Sequence, residues 1–204
     1  MKLTADEMRR AHRHLRRVDP ELGRRMGGLR ACELHRNRRP AFASLANAIV
    51  GQQLSTKAAA SILRRVETLT GSRPLRAPLV ADTLPDVLRE AGLSNAKTRY
   101  LLTLAESVCN GDLNFRSLAR QSDDVVVERL TALPGIGEWT AQMFLMFGLL
   151  RSDVAAPGDL GLQKGMQALD GLEERPDADT FLERCEVWRP YRTVGCWYLW
   201  RLAE

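Results

Sequence analysis

Apolar residues along this chain recur at intervals of three and four, the period of a helix with one buried face, and no stretch alternates at the period of two that a half-buried strand requires. The segment "AFASLANAIV" (41–50) follows Pro40 and sets Phe42, Leu45, Ala46 and Ile49 on one stripe that ends at Gly51. Ser55 is placed to cap "TKAAASILRRVETL" (56–69), with Ala58, Ile62, Val66 and Leu69 inward and Lys57, Arg64 and Arg65 outward. After the loop "TGSRPLRAP", a short helix opens near Pro85, and Ser94 is the predicted cap of a longer one over 95–109. "DDVVVERLTAL" (123–133) leads to the turn Pro134-Gly135-Ile136-Gly137, and "EWTAQMFLMFGLL" (138–150) is apolar on almost all sides, as a buried central helix is. A last pair of helices spans 177–186 and 190–202. The pattern predicts an all-α protein of roughly ten helices.

Composition bounds this picture. With 204 residues, 45% hydrophobic and 27% charged, the chain is long enough for one domain or two small lobes with a real core. Thirty Lys and Arg against 25 Asp and Glu leave a net charge of +5, and the arginines crowd into the first 39 residues, which suits an anionic partner. No apolar run follows the basic start, and Asp6 and Glu7 interrupt it, so neither a signal nor a transit peptide is expected. No stretch approaches the roughly 18 apolar residues of a membrane span. The expectation is a cytoplasmic protein with no membrane partner. Cys32, Cys109, Cys185 and Cys196 are scattered with no CxxC pair, which predicts neither a zinc site nor a disulfide framework. His12, His14 and His35 lie in the basic N-terminal region, outside every motif, and are assigned no catalytic role.

Two features carry chemistry. Glycines two apart between helices can adopt φ > 0 and expose amides which, with the N-terminus of the next helix, hold a phosphate without side-chain charge. Thr140, in the first turn of that helix, has a hydroxyl placed to help. The same turn also serves as a plain helix connector, and both readings stand at this point. Twenty residues beyond Trp139, "APGDLGL" (156–162) sets Asp159 where it can cap the helix that follows or act as a lone carboxylate.

"LPGIGEWTAQMFL" (133–145) resembles the helix-hairpin-helix of the HhH-GPD DNA glycosylase superfamily, named for that hairpin and for a Gly/Pro-rich loop ending in a catalytic Asp. "APGDLGL" resembles the loop, with Asp159 on the catalytic position. "AIVGQQLSTKAAA" (48–60) and "GLSNAKTRYLLTLA" (92–105) resemble early helices of the 3-methyladenine DNA glycosylase II branch. The resemblance implies a two-lobed helical fold with an active-site cleft between the lobes, and without the N-terminal β lobe of larger members. It divides the chain into a basic helical region, 1–39, packing on a glycosylase domain, 40–204, with the hairpin at 130–150 and the catalytic loop at 155–161.

The implied activity is removal of alkylated bases of the 3-methyladenine and 7-methylguanine type in base excision repair. The enzyme would flip the base from double-stranded DNA, release it hydrolytically and act as a monomer. Members that also cut the backbone carry a lysine nucleophile where this chain has Trp139, so the resemblance implies a monofunctional enzyme. It also places Trp139, Tyr191, Met143, Gln52 and Trp188 at the base pocket and Gln53 at the residue that fills the vacated stack. Gly135, Ile136, Gly137 and Thr140 would contact the DNA backbone, and main-chain carbonyls of Thr131, Leu133 and Ile136 would hold a sodium or potassium ion. Branches with an iron–sulfur cluster carry four closely spaced Cys after the domain, and Cys185 and Cys196 are too few; no cofactor is expected to be required. Trp197 and Trp200 read as core, being aromatics at helical spacing. A glycosylase for oxidised or mismatched bases and a non-catalytic DNA-binding module are the alternatives, disfavoured respectively by the missing lysine and cysteines and by the presence of the catalytic loop.

Overall fold

The computed structural model describes residues 1–204, the side chain of Thr56 excepted. In chain order the helices are α1 (Ala5–Val18), α2 (Pro20–Met26), α3 (Ala41–Gly51), α4 (Thr56–Leu69), α5 (Ala77–Ala81), α6 (Pro85–Glu90) and α7 (Asn95–Cys109). They continue as α8 (Phe115–Leu118), α9 (Asp123–Thr131), α10 (Glu138–Met143), α11 (Leu160–Asp170), α12 (Ala178–Glu186) and α13 (Arg192–Leu202). The all-α expectation holds, and α6 opens at Pro85 as predicted, but there are more and shorter pieces than the pattern predicts: α5 and α8 have five and four residues, too few to display a helical period. Among the described residues the only β pairing outside strands is a bridge between Lys2 and Arg151. No helix among them is long and apolar enough to cross a membrane.

The predicted caps are in place. Ser55 Oγ accepts the Ala58 amide and Ser94 Oγ accepts the Lys97 amide, each at 3.3 Å. The helix expected to run unbroken over 138–150 does not: α10 gives way at Phe144–Gly148 to a π-helical turn. The Phe144 ring occupies the space over Gly148, where a β-carbon would stand 2.5 Å from Phe144 Cδ2, and the wider turn accommodates it.

The chain divides into two compact units. The first comprises Met1–Asn37 and Leu149–Glu204. Its α1 presents Met8, Ala11 and Leu15 at intervals of three and four, all buried, and packs on α2 and α13; each large side chain so buried contributes about 1.5–3 kcal/mol. Helices α11 and α13 cross closely because Gly165 has no side chain: a β-carbon there would lie 2.1 Å from the Leu199 carbonyl oxygen. The second unit, Arg38–Gly148, is built around α3, which packs on α4, α7, α10 and the π turn, while α5 and α6 lie against α7.

A buried carboxylate fastens the first unit. Asp19, 5% exposed, caps α2 by accepting the Leu22 amide at 3.0 Å on Oδ1. Its Oδ2 accepts the Trp188 indole N–H at 2.7 Å and Arg184 Nη2 at 2.6 Å, and Arg184 also pairs with Asp170. Burial acts to raise the Asp19 pKa, but the Leu22 amide, the Trp188 indole and Arg184 together outweigh it and hold the carboxyl below its ordinary value. A depressed carboxylate pKa stabilises the fold above the unfolded-state value, and that contribution is lost as pH falls below about 4. Asp19→Ala is therefore expected to cost about 3–5 kcal/mol at neutral pH and to flatten the fall in melting temperature on acidification below that point. Thermal unfolding from pH 7 to 2.5 on both proteins checks it.

Candidate functional site

Helices α9 and α10 are joined by the turn 132–137. The Leu133 carbonyl accepts the Ile136 amide at 3.2 Å, and α10 opens with the Ala141 amide donating to Gly137 O at 3.0 Å. Gly135 has φ +80°, and a β-carbon there would stand 2.0 Å from Cδ2 of the Tyr100 ring. Glycine is required twice over, for the left-handed backbone and for the ring lying against it. An open cavity of about 610 Å³ adjoins this turn, bordered by Gln53, Lys97, Tyr100, Thr131, Leu133 and Gly135 among others.

The structure redistributes the residues expected here. Thr140 is 2% exposed and its Oγ1 accepts Gln52 Nε2 at 3.2 Å, so its hydroxyl braces the interior of the second unit. Gln52 borders the cavity, and its Nε2 also donates to Gly135 O at 2.8 Å, which leaves only its side-chain oxygen for a base. The Ile136 side chain is buried and its amide closes the turn, which removes that N–H from phosphate binding. Gln53 is exposed at the tip between α3 and α4, with φ +57°. Trp139, in the first turn of α10, is 37% exposed, while Met143 one turn later is buried at 7%. Among the described residues no three His, Cys, Asp or Glu side chains gather as metal ligands. A cation at the hairpin would rest on main-chain oxygens, and Thr131, Leu133 and Ile136 all border the cavity.

In the first unit, Asp159 is the N-cap of α11. Its Oδ1 accepts the Leu162 amide at 2.9 Å and the Trp200 indole N–H at 3.0 Å. Gly161 keeps this contact open: a β-carbon there would lie 3.0 Å from both Asp159 Oδ1 and Trp200 Cδ1. The loop before it is tied to the start of α13. Arg192 Nε donates to Asp153 Oδ1 at 2.8 Å, Thr193 Oγ1 donates to Arg151 O at 2.7 Å, and the Val154 amide donates to Thr193 Oγ1 at 3.0 Å. One helix thus fixes the loop from its first residues and the carboxylate from its last turn. Asp159 fills the cap role that the sequence offered.

Trp200, expected in the core, is the residue that sequence reasoning missed. The signal was its chemistry: indole N–H is a donor with no acceptor function, and in a part-buried helix it must find an acceptor. Trp188 and Tyr191 move the other way. Trp188 is fully buried with its N–H spent on Asp19, and Tyr191, 7% exposed, donates its hydroxyl to Glu7 Oε2 at 2.8 Å with the His14 ring edge-on 5.5 Å away. Burial, then the Glu7 hydrogen bond, push the Tyr191 phenol pKa up, so it stays protonated and a donor. Both are fastenings of the unit, because large aromatics with one polar atom are most stable when body and polar atom are both satisfied inside.

Comparison with known proteins agrees with this geometry. The DNA-3-methyladenine glycosylase 1 of Schizosaccharomyces pombe is 33% identical over 165 residues, covering 80% of this chain and 72% of its own. A DNA-3-methyladenine glycosidase structure from Bacillus halodurans superposes with a TM-score of 0.80 at 37% identity, covering 93% of this chain and 88% of that one. The S. pombe 3-methyladenine DNA glycosylase in complex with abasic DNA gives a TM-score of 0.85 at 29% identity, covering 94% and 95%. The family pattern described as HhH-GPD superfamily base excision DNA repair protein matches residues 46–190, which hold both the hairpin and Asp159. With most of its length matched, the chain belongs to the HhH-GPD superfamily of base excision DNA repair proteins.

Proposed function

We propose that this protein is a monofunctional DNA glycosylase of base excision repair, releasing alkylated bases of the N3- and N7-alkylpurine type from double-stranded DNA. The observation that carries the reading is the Asp159 carboxylate, held on one oxygen by the Leu162 amide and the Trp200 indole in the loop that matches the family. Cleavage of an N-glycosidic bond develops positive charge on the sugar, and a carboxylate oriented in advance stabilises that charge and directs water to C1′. The bonding pair leaves with the base, water adds its oxygen to C1′, and its proton passes to solvent. One carboxylate suffices because a purine alkylated at N3 or N7 already carries positive charge and departs as a neutral base.

Trp139, exposed at the start of α10, is proposed to stack on the flipped cationic base, a contact of about 0.5–2 kcal/mol. Gln53 is proposed to fill the gap left in the stack, and the amides of Gly135 and Gly137 to meet backbone phosphate. The carbonyls of Thr131, Leu133 and Ile136 fit a sodium or potassium ion, since hard oxygens without charged side chains suit an alkali cation, which would add positive charge beside that phosphate. No iron–sulfur cluster or other cofactor enters the reading.

Asp159→Asn keeps a competent helix cap and is expected to reduce single-turnover release of 7-methylguanine or 3-methyladenine on the order of 10²–10³-fold, with affinity for abasic-site duplex retained. Normal excision by this variant would remove Asp159 from the chemistry. The wild-type protein is expected to leave the abasic strand intact, with no covalent adduct trapped by borohydride, because an indole at position 139 cannot form a Schiff base. A trapped adduct would show a lyase and a nucleophile elsewhere.

A further inference from the structure

Helix α3 ends at Gly51, and its last carbonyls have no donor within the helix. Lys97, from the first turn of α7, supplies one: its Nζ donates to Val50 O at 2.9 Å and to Gln52 O at 2.6 Å. The placement is electrostatically favourable, since a cation at a helix C-terminus meets the negative end of the macrodipole. It also has a cost, because partial burial pushes the Lys97 pKa down. In a site bordering the cavity at the hairpin, this lysine is committed to two main-chain carbonyls instead of being left in solvent.

What lies between those contacts is the tip. Gln53 follows the second carbonyl directly and holds φ +57°, a left-handed conformation that costs a non-glycine residue about 1–2 kcal/mol and persists only when the surroundings enforce it. On its other side the tip is tied by Gln52, whose Nε2 reaches Gly135 O and Thr140 Oγ1. Residue 52 is therefore held by its carbonyl to α7 and by its side chain to the hairpin, and residue 53 projects from between the two. The reading that Gln53 fills the vacated stack, made above, adds the consequence. A plug must stand at a fixed height relative to the turn that grips the backbone, and the two braces set that height.

We propose that Lys97 is a positioning residue for base flipping, holding the Gln53 tip in its left-handed conformation so that it enters the duplex as the damaged base leaves. Without the ammonium group the carbonyls of Val50 and Gln52 turn to water and the tip relaxes, while the carboxylate chemistry is untouched.

The test compares two substrates: a 7-methylguanine strand in a fully paired duplex, and the same strand with an abasic site opposite the lesion, where no base pair is broken and no orphaned partner base is left for a plug to support. Lys97→Met keeps the apolar stem and removes the donor. Its single-turnover rate is expected to fall about tenfold or more on the paired duplex and less than about twofold on the unpaired lesion, with Lys97→Arg restoring most of the paired rate. The ratio of the two rates does not depend on how much of the variant is folded, so a structural defect alone leaves it unchanged. Equal loss on both substrates, or no loss on either, overturns the inference. Gln53→Ala, run in parallel, separates the causes: no substrate split there defeats the reading of Gln53 as the plug, and no release of 7-methylguanine by the wild-type protein from either duplex defeats the glycosylase reading itself.

Discussion

The constraint on which this structure depends is the one that every helix end imposes. An α-helix leaves four amides at its start and four carbonyls at its finish without partners, and a chain whose regular structure is helical, with thirteen α-helices among the described residues, meets that requirement repeatedly. Here the groups on which the proposed function rests stand at helix ends. Asp159 satisfies the amide of Leu162 at the start of α11, Gly137 opens α10 at the hairpin, and Lys97 satisfies the carbonyls at the end of α3. Asp19 does the same for α2 and fastens Trp188 and Arg184 in the process. Groups placed to complete helices are held rigidly, and rigidity is what a site needs if charge developing in a reaction is to meet a partner already in position.

The carboxylate illustrates how little chemistry the proposed reaction asks of the protein. The backbone amide of Leu162 and the indole of Trp200 converge on one oxygen of Asp159, which fixes the plane of the group, and Gly161 leaves the space in which they meet. Arg192 and Thr193 hold the approach to the loop. Nearly all of this is orientation. A reaction whose leaving group is already charged needs orientation more than acid catalysis, and the family to which the chain belongs is consistent with that economy.

Much of this was legible in the residues. The helical period, the Ser55 and Ser94 caps and the glycine turn are local: each depends on neighbours within four positions. Asp159 was legible for the same reason, since capping is a property of the next three residues. Side-chain partners distant in sequence were not. The resemblance puts Met143 at the pocket, and the fold buries it; it puts Thr140 and Gln52 at DNA and base, and the fold bonds them to each other. Trp188, in the turn between α12 and α13, and Trp200, in the last turn of α13, differ in which acceptor the fold brings to the N–H, and no local rule selects it. The break from α10 into a π turn was equally hidden, as it depends on where one phenylalanine ring must sit.

The sequence by itself determined an all-helical chain, the left-handed turn at Gly135 and the carboxylate at the head of α11, which follow from covalent geometry and the reach of one helical turn; that an indole stands where a lysine nucleophile would is what the family resemblance adds. Only the tertiary structure decided that Trp200 binds Asp159, that Asp19 is the hub of the first unit, and that Lys97 and Gln52 brace the tip beside the hairpin. Those contacts join residues 41 to 169 positions apart, where no local rule selects one polar partner over another. There the choice falls to packing, which admits a buried donor only where an acceptor already waits.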